Sequence, residues 1–109
     1  MRVWDISPTK LCKNHLLGEH RELHAIWTII TQEKKGYSFH PETIRWKGKL
    51  MALYLRHTKL VKEMKKRGYG HNSPLNKKFA RGNQIQTKFI NSLSEQVMIL
   101  KKKGCMCKV

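Results

Sequence analysis

Asn14-His15-Leu16-Leu17-Gly18-Glu19-His20-Arg21-Glu22-Leu23-His24 decides how this chain is read. It sets two carboxylates, three imidazoles and an arginine into eleven residues. At about 100° per residue a helix brings His15, Glu19 and Glu22 into one narrow stripe, with Leu16, Leu23, Trp27 and Ile30 in the stripe beside it. The segment is therefore an amphipathic helix with a dense set of titratable groups along the border of its buried face. Such a concentration beside a core is a reason to look for a site.

Working outward, residues 1–7 read as an extended arm anchored by Val3, Trp4 and Ile6. Ser7 is a natural N-cap and Pro8 suits the first helical position, so the spacing predicts a first helix from Pro8 to about Gln32, with Asn14 and Gly18 weakening its start and a break near residue 13. Residues 33–41 form a loop. Leu50, Leu53, Tyr54, His57, Leu60, Val61 and Met64 then follow three-four spacing up to Gly68, a left-handed cap. Lys49, Arg56, Lys59, Lys62, Lys65, Lys66 and Arg67 are assigned to the outer face of this second helix. After a connection at 69–75, Asn76–Arg81 predicts one short helical turn. A third helix is expected over Gln84–Lys103, with Ile85, Phe89, Leu93, Val97 and Leu100 inward, Gly104 as its stop and a loose tail beyond. The fold class expected is all-α: a compact single domain, 1–109, of three main helices with an extended N-terminal arm.

Lys and Arg number 23 against 7 Asp and Glu, a formal charge of +16. Such an excess points to a polyanionic partner, first of all nucleic acid. No segment approaches the roughly 18 apolar residues of a membrane span, so no membrane partner is expected. No secretory signal pattern opens the chain. Cys12, Cys105 and Cys107 do not form a disulfide framework, and a reducing, cytoplasmic location suits them. No local spacing matches a tetrahedral metal site. His20 and His24, four apart, are spaced to chelate, but are read as polar residues on a helix flank.

Serine or cysteine nucleophiles lack a recognisable setting here, and Glu19 with Glu22 is a thin ligand set for a catalytic metal. Amine chemistry remains. An α-amino group, with a reference pKa near 8, holds far more free base at neutral pH than a lysine near 10.4.

Met1-Arg2 followed by His15-Leu16-Leu17-Gly18-Glu19-His20-Arg21-Glu22-Leu23 resembles the pyrimidine-dimer DNA glycosylases typified by phage endonuclease V. The stretch from Lys49-Leu50 to Lys65-Lys66-Arg67-Gly68-Tyr69 is similar to that family's basic helix, and the resemblance covers roughly residues 1–75. It implies an all-helical repair enzyme acting on damaged duplex DNA as a monomer, without metal or organic cofactor. In such an enzyme the terminal amine attacks the sugar C1′, a Schiff base forms, and β-elimination nicks the strand. Met1 would supply that amine, the bulky Arg2 preventing removal of the initiator. The resemblance makes Glu22 the catalytic carboxylate, with Arg2, His15 and Arg21 as DNA contacts. Glu19 matches the pattern too, and its role is open between the site and an ion pair with a basic residue. Two features depart from the pattern: Ala25 stands where a further arginine is usual, and the chain ends in Lys101-Lys102-Lys103-Gly104-Cys105-Met106-Cys107-Lys108-Val109 rather than a Trp-Tyr-rich tail. A non-catalytic basic helical module that binds DNA or RNA accounts equally well for the charge, but not for carboxylates set into a phosphate-facing surface.

Overall fold

The computed structural model describes residues 2–36, 38–71 and 73–108. Its helices are α1 (Lys13–Thr31), α2 (Pro41–Ile44), α3 (Leu50–Lys66) and α4 (Leu93–Lys102), with 3-10 turns at Pro8–Lys10 and Lys77–Phe79. The fold is all-α. Among the described residues the sole β feature is the isolated antiparallel bridge between Lys49 and Gly82. No helix is long and apolar enough to cross a membrane.

The core forms where α1 packs on α3. Leu16, Leu23 and Ile26 from α1 meet Leu53 and Leu60 from α3, all fully buried, and Val3, Trp4, Ile6, Leu11 and Trp46 close the cluster. Each such aliphatic side chain stabilises the fold by roughly 1.5–3 kcal/mol relative to exposure. The arm residues expected to anchor the start of the chain do so.

Several boundaries differ from the pattern-based expectation. The break expected near residue 13 is present, with α1 starting at Lys13, but what precedes it is only a 3-10 turn at Pro8–Lys10, and Ser7 bonds Thr9 rather than capping. Leu11 turns extended into the core, and its carbonyl accepts from Arg67 at 2.7 Å. The loop expected at 33–41 runs into α2, which starts at Pro41 under a His40 side-chain cap on the Glu42 amide.

The largest correction is at the third helix. It begins at Leu93, not Gln84, because Ser92 and Glu95 form a reciprocal capping box. The chain before it is held extended by other partners. Arg81 and Asn83 offer their carbonyls to the Met51 and Ala52 amides, two N–H groups of the first turn of α3 that no intrahelical carbonyl serves. Gly82 passes so close to Gly48 that an added Cβ would lie 2.1 Å from the Gly48 oxygen. Ile85, Phe89 and Leu93 are consequently exposed rather than inward. The tail is tied down as well, the Lys108 amide donating to Lys10 O at 2.7 Å.

Candidate active site and DNA interface

The arm is clamped to the helices at successive backbone groups. Val3 N–H donates to Glu42 Oε1 (3.2 Å) and Trp4 N–H to Glu19 Oε1 (3.1 Å), while Asp5 N–H donates to Gln96 Oε1 (2.8 Å). The carbonyls of Val3 and Ile6 accept from Arg45 and Arg56, each at 2.8 Å. Extended backbone buried without a sheet partner must find such acceptors and donors elsewhere. Here charged side chains supply most of them.

Each clamping carboxylate is itself paired. Arg56 grips Glu19 at two points, Nε to Oε2 at 2.7 Å and NH2 to Oε1 at 2.9 Å. Arg45 bonds Glu42 through Nε at 2.8 Å and reaches Asp5 at 3.1 Å. Burial pushes the Glu19 carboxyl upward, and the Arg56 guanidinium opposes that. Glu19 is thereby placed: it joins α1 to α3 and to the arm, across helices rather than within one. Lys49 and Arg56, expected on the outer face of α3, are buried. Lys59, Lys62, Lys65 and Lys66 are exposed as expected.

Beside the clamp lies a cleft of about 330 Å³, lined by Arg2, Trp4, Asn14, His15, Gly18, Glu19, Glu22 and Lys103. Three of the expected site residues, Arg2, His15 and Glu22, thus come together. Arg21 is exposed and does not line the cleft. The expected nucleophile, Met1, lies outside the described residues. Arg2 lays its guanidinium over the Trp4 ring, 4.9 Å from its centroid, and bonds Asn91 Oδ1 at 3.0 Å. The Trp4 ring meets His15 edge-on at 5.9 Å. Burial and the charge of Lys103 lower the His15 pKa.

Glu22 differs from the carboxylates around it. Asp5, Glu19, Glu42 and Glu63 are in ion pairs, and Glu95 belongs to the capping box. Glu22 is half-buried at the cleft with no hydrogen bond or ion pair among the described residues.

A family model described as pyrimidine dimer DNA glycosylase matches residues 1–77. The chain belongs to the pyrimidine dimer DNA glycosylase family. The match takes in the arm, the clamp residues Glu19, Glu42, Arg45 and Arg56, and the cleft residues of α1, whereas α4 and the tail lie beyond it. No curated protein and no solved structure matches the chain.

The residues missed in the sequence are the second half of the clamp, Glu42, Arg45 and Gln96. A signal for the first two was present: His40-Pro41-Glu42 carries a proline at the first helical position and an acidic first turn. Gln96, in a helix after the match ends, carried none.

Proposed function

We propose that the protein excises pyrimidine dimers from duplex DNA and then nicks the strand as an apurinic/apyrimidinic lyase, through an imine on the α-amine of Met1. What carries this reading is the half-buried Glu22, without a partner among the described residues, at a cleft whose other wall is an arm clamped through its backbone from Val3 onward. Preorganised geometry of that kind is what converts a weak amine into an effective nucleophile.

In the proposed reaction the free amine attacks C1′ and the bond from C1′ to one base of the dimer breaks, the electron pair going to that base, which stays joined to its dimer partner. Opening of the sugar ring gives the protonated imine. Glu22, as carboxylate, stabilises that cation and then takes a proton from C2′, after which the C3′–O bond breaks and the 3′ phosphate leaves. Arg2, His15 and Arg21 serve as phosphate and sugar contacts. Lys59, Lys62 and Lys66, with Arg56, line a groove of about 490 Å³ suited to a phosphate backbone. Dimerised bases are already poorly stacked, so extruding a nucleotide there costs less than from intact duplex.

The test is a nicking assay without added metal on two matched duplexes, one carrying a single cyclobutane dimer. Cleavage confined to the damaged strand is expected. Equal treatment of both duplexes, bound but uncut, would leave a basic binding module instead.

A further inference from the structure

Four histidines from three parts of the fold converge at one point. His20 and His24 sit one turn apart on α1, His57 on α3, and His71 in the connection beyond it. Their donor nitrogens all lie within 4.8 Å of one another. The Nε2 atoms of His20, His24 and His57 form a triangle with edges of 3.2, 3.2 and 3.0 Å. A neutral imidazole nitrogen is either a donor or an acceptor. In a triangle of such atoms at least one edge therefore joins two of the same kind, so hydrogen bonding does not account for it. The Nε2 of His71 is buried with no hydrogen-bond partner among the described residues.

We infer that His20, His24, His57 and His71 are a closed tetrahedral site for a divalent late first-row cation, zinc foremost. Zinc–nitrogen bonds of about 2.0–2.1 Å give tetrahedral edges of about 3.3 Å, near the observed triangle. One cation satisfies all three nitrogens and the orphan on His71. A hydrogen bond between the His24 ring and the Ser73 backbone supplies the outer support that ligating histidines usually have. With four protein ligands the site is structural, fastening the chain at His71 to α1 and α3.

A second cluster carries a like inference independently. Cys12, His15, Cys105 and Cys107 bring their donor atoms within 4.8 Å of one another. His15 Nδ1 lies 3.2 Å from both Cys12 Sγ and Cys107 Sγ, and the Cys12 amide donates to Cys107 Sγ at 3.1 Å. Three thiolates and an imidazole make a zinc site of net charge −1, balanced here by Lys13, Lys103 and Lys108. Cys105 Sγ donates weakly to Leu100 O at 3.3 Å, a bond its ionisation would give up. Metal on Nδ1 would fix the His15 proton on Nε2, leaving a donor for the cleft.

Both sites are tested on the full chain, purified in reductant, loaded with Zn²⁺ and dialysed metal-free. Bound zinc of two equivalents is expected, falling to one in His71→Gln and to one in Cys107→Ser, with helix content unchanged by circular dichroism. Cobalt substitution separates the sites without relying on variant folding: Co²⁺ at the cysteine cluster gives a thiolate charge-transfer band, which Cys107→Ser abolishes and His71→Gln retains. Wild-type protein that retains no zinc after dialysis would overturn both sites. A content unchanged in His71→Gln would overturn the histidine site. Absence of the thiolate band, or a Cys12–Cys107 disulfide in its place, would overturn the cysteine site.

Discussion

Glu19 and Arg56 hold equivalent places on facing helices. Glu19 follows Leu16 by three residues and precedes Leu23 by four, and Arg56 stands in the same relation to Leu53 and Leu60. Each therefore lies in the buried stripe of its own helix, and they meet at 2.7 Å and 2.9 Å, with side-chain exposures of 0% and 9%. Their remaining bonding capacity goes to the arm, at Trp4 N–H and Ile6 O. The pair is how the helix packing is transmitted to the start of the chain.

Removing one member leaves the other as a buried, uncompensated charge. Arg56→Met is expected to cost about 3–5 kcal/mol of folding stability, read from urea unfolding at neutral pH. It should also free Ile6 and lower strand nicking. A change within about 0.5 kcal/mol would show that the pair does not bear on the fold.

Glu22→Gln should behave in the opposite way. Its carboxylate has no partner among the described residues, so unfolding free energy should stay within about 0.5 kcal/mol while strand nicking disappears and DNA binding persists. Full nicking by this variant would remove Glu22 from the chemistry.

Affinity for duplex DNA should drop steeply with salt, as phosphate contacts release counterions. If Lys62 and Lys66 each neutralise a phosphate, changing either to Gln should weaken binding alike on damaged and undamaged duplex. Each should also reduce the slope of log affinity against log salt by about 1. A wild-type affinity insensitive to salt would place the interface elsewhere.

The start of α4 rests on a local device. Ser92→Ala removes one half of the capping box and should destabilise the protein by about 1 kcal/mol. If Gln84–Ser92 were helical, as its apolar spacing suggests, Ser92 would be an interior position and the substitution would be neutral or stabilising, so chemical denaturation of this variant discriminates the two.

Periodicity made α1 and α3 legible because both bury one stripe against the other, and the signature on α1 carried the family. Glu19 and Arg56 share the three-four spacing of the buried leucines, but their charge set Glu19 in the stripe beside the apolar one and Arg56 on the outer face. Over Gln84–Ser92 the apolar spacing was real and misleading. The backbone just before it, at residues 81–83, is taken up by Gly48, Lys49 and the first turn of α3, and Arg45 holds the Lys88 carbonyl and the Gln86 side chain, through contacts distant in sequence that no local pattern encodes. The histidine and cysteine clusters were hidden for the same reason. Metal-ligand spacing is recognisable when ligands are near in sequence, whereas Cys12 meets Cys107, and His20 meets His57 and His71, only after folding.

The central claim is that the α-amine of Met1 becomes covalently bound to DNA. The direct measurement is borohydride reduction during reaction with a duplex carrying one cyclobutane dimer, without added metal, followed by peptide mapping of the cross-link. The account predicts a stable protein–DNA adduct at Met1, lost when the amine is blocked. An adduct mapped to a lysine side chain, or no adduct on a duplex that is nonetheless cleaved, would contradict it.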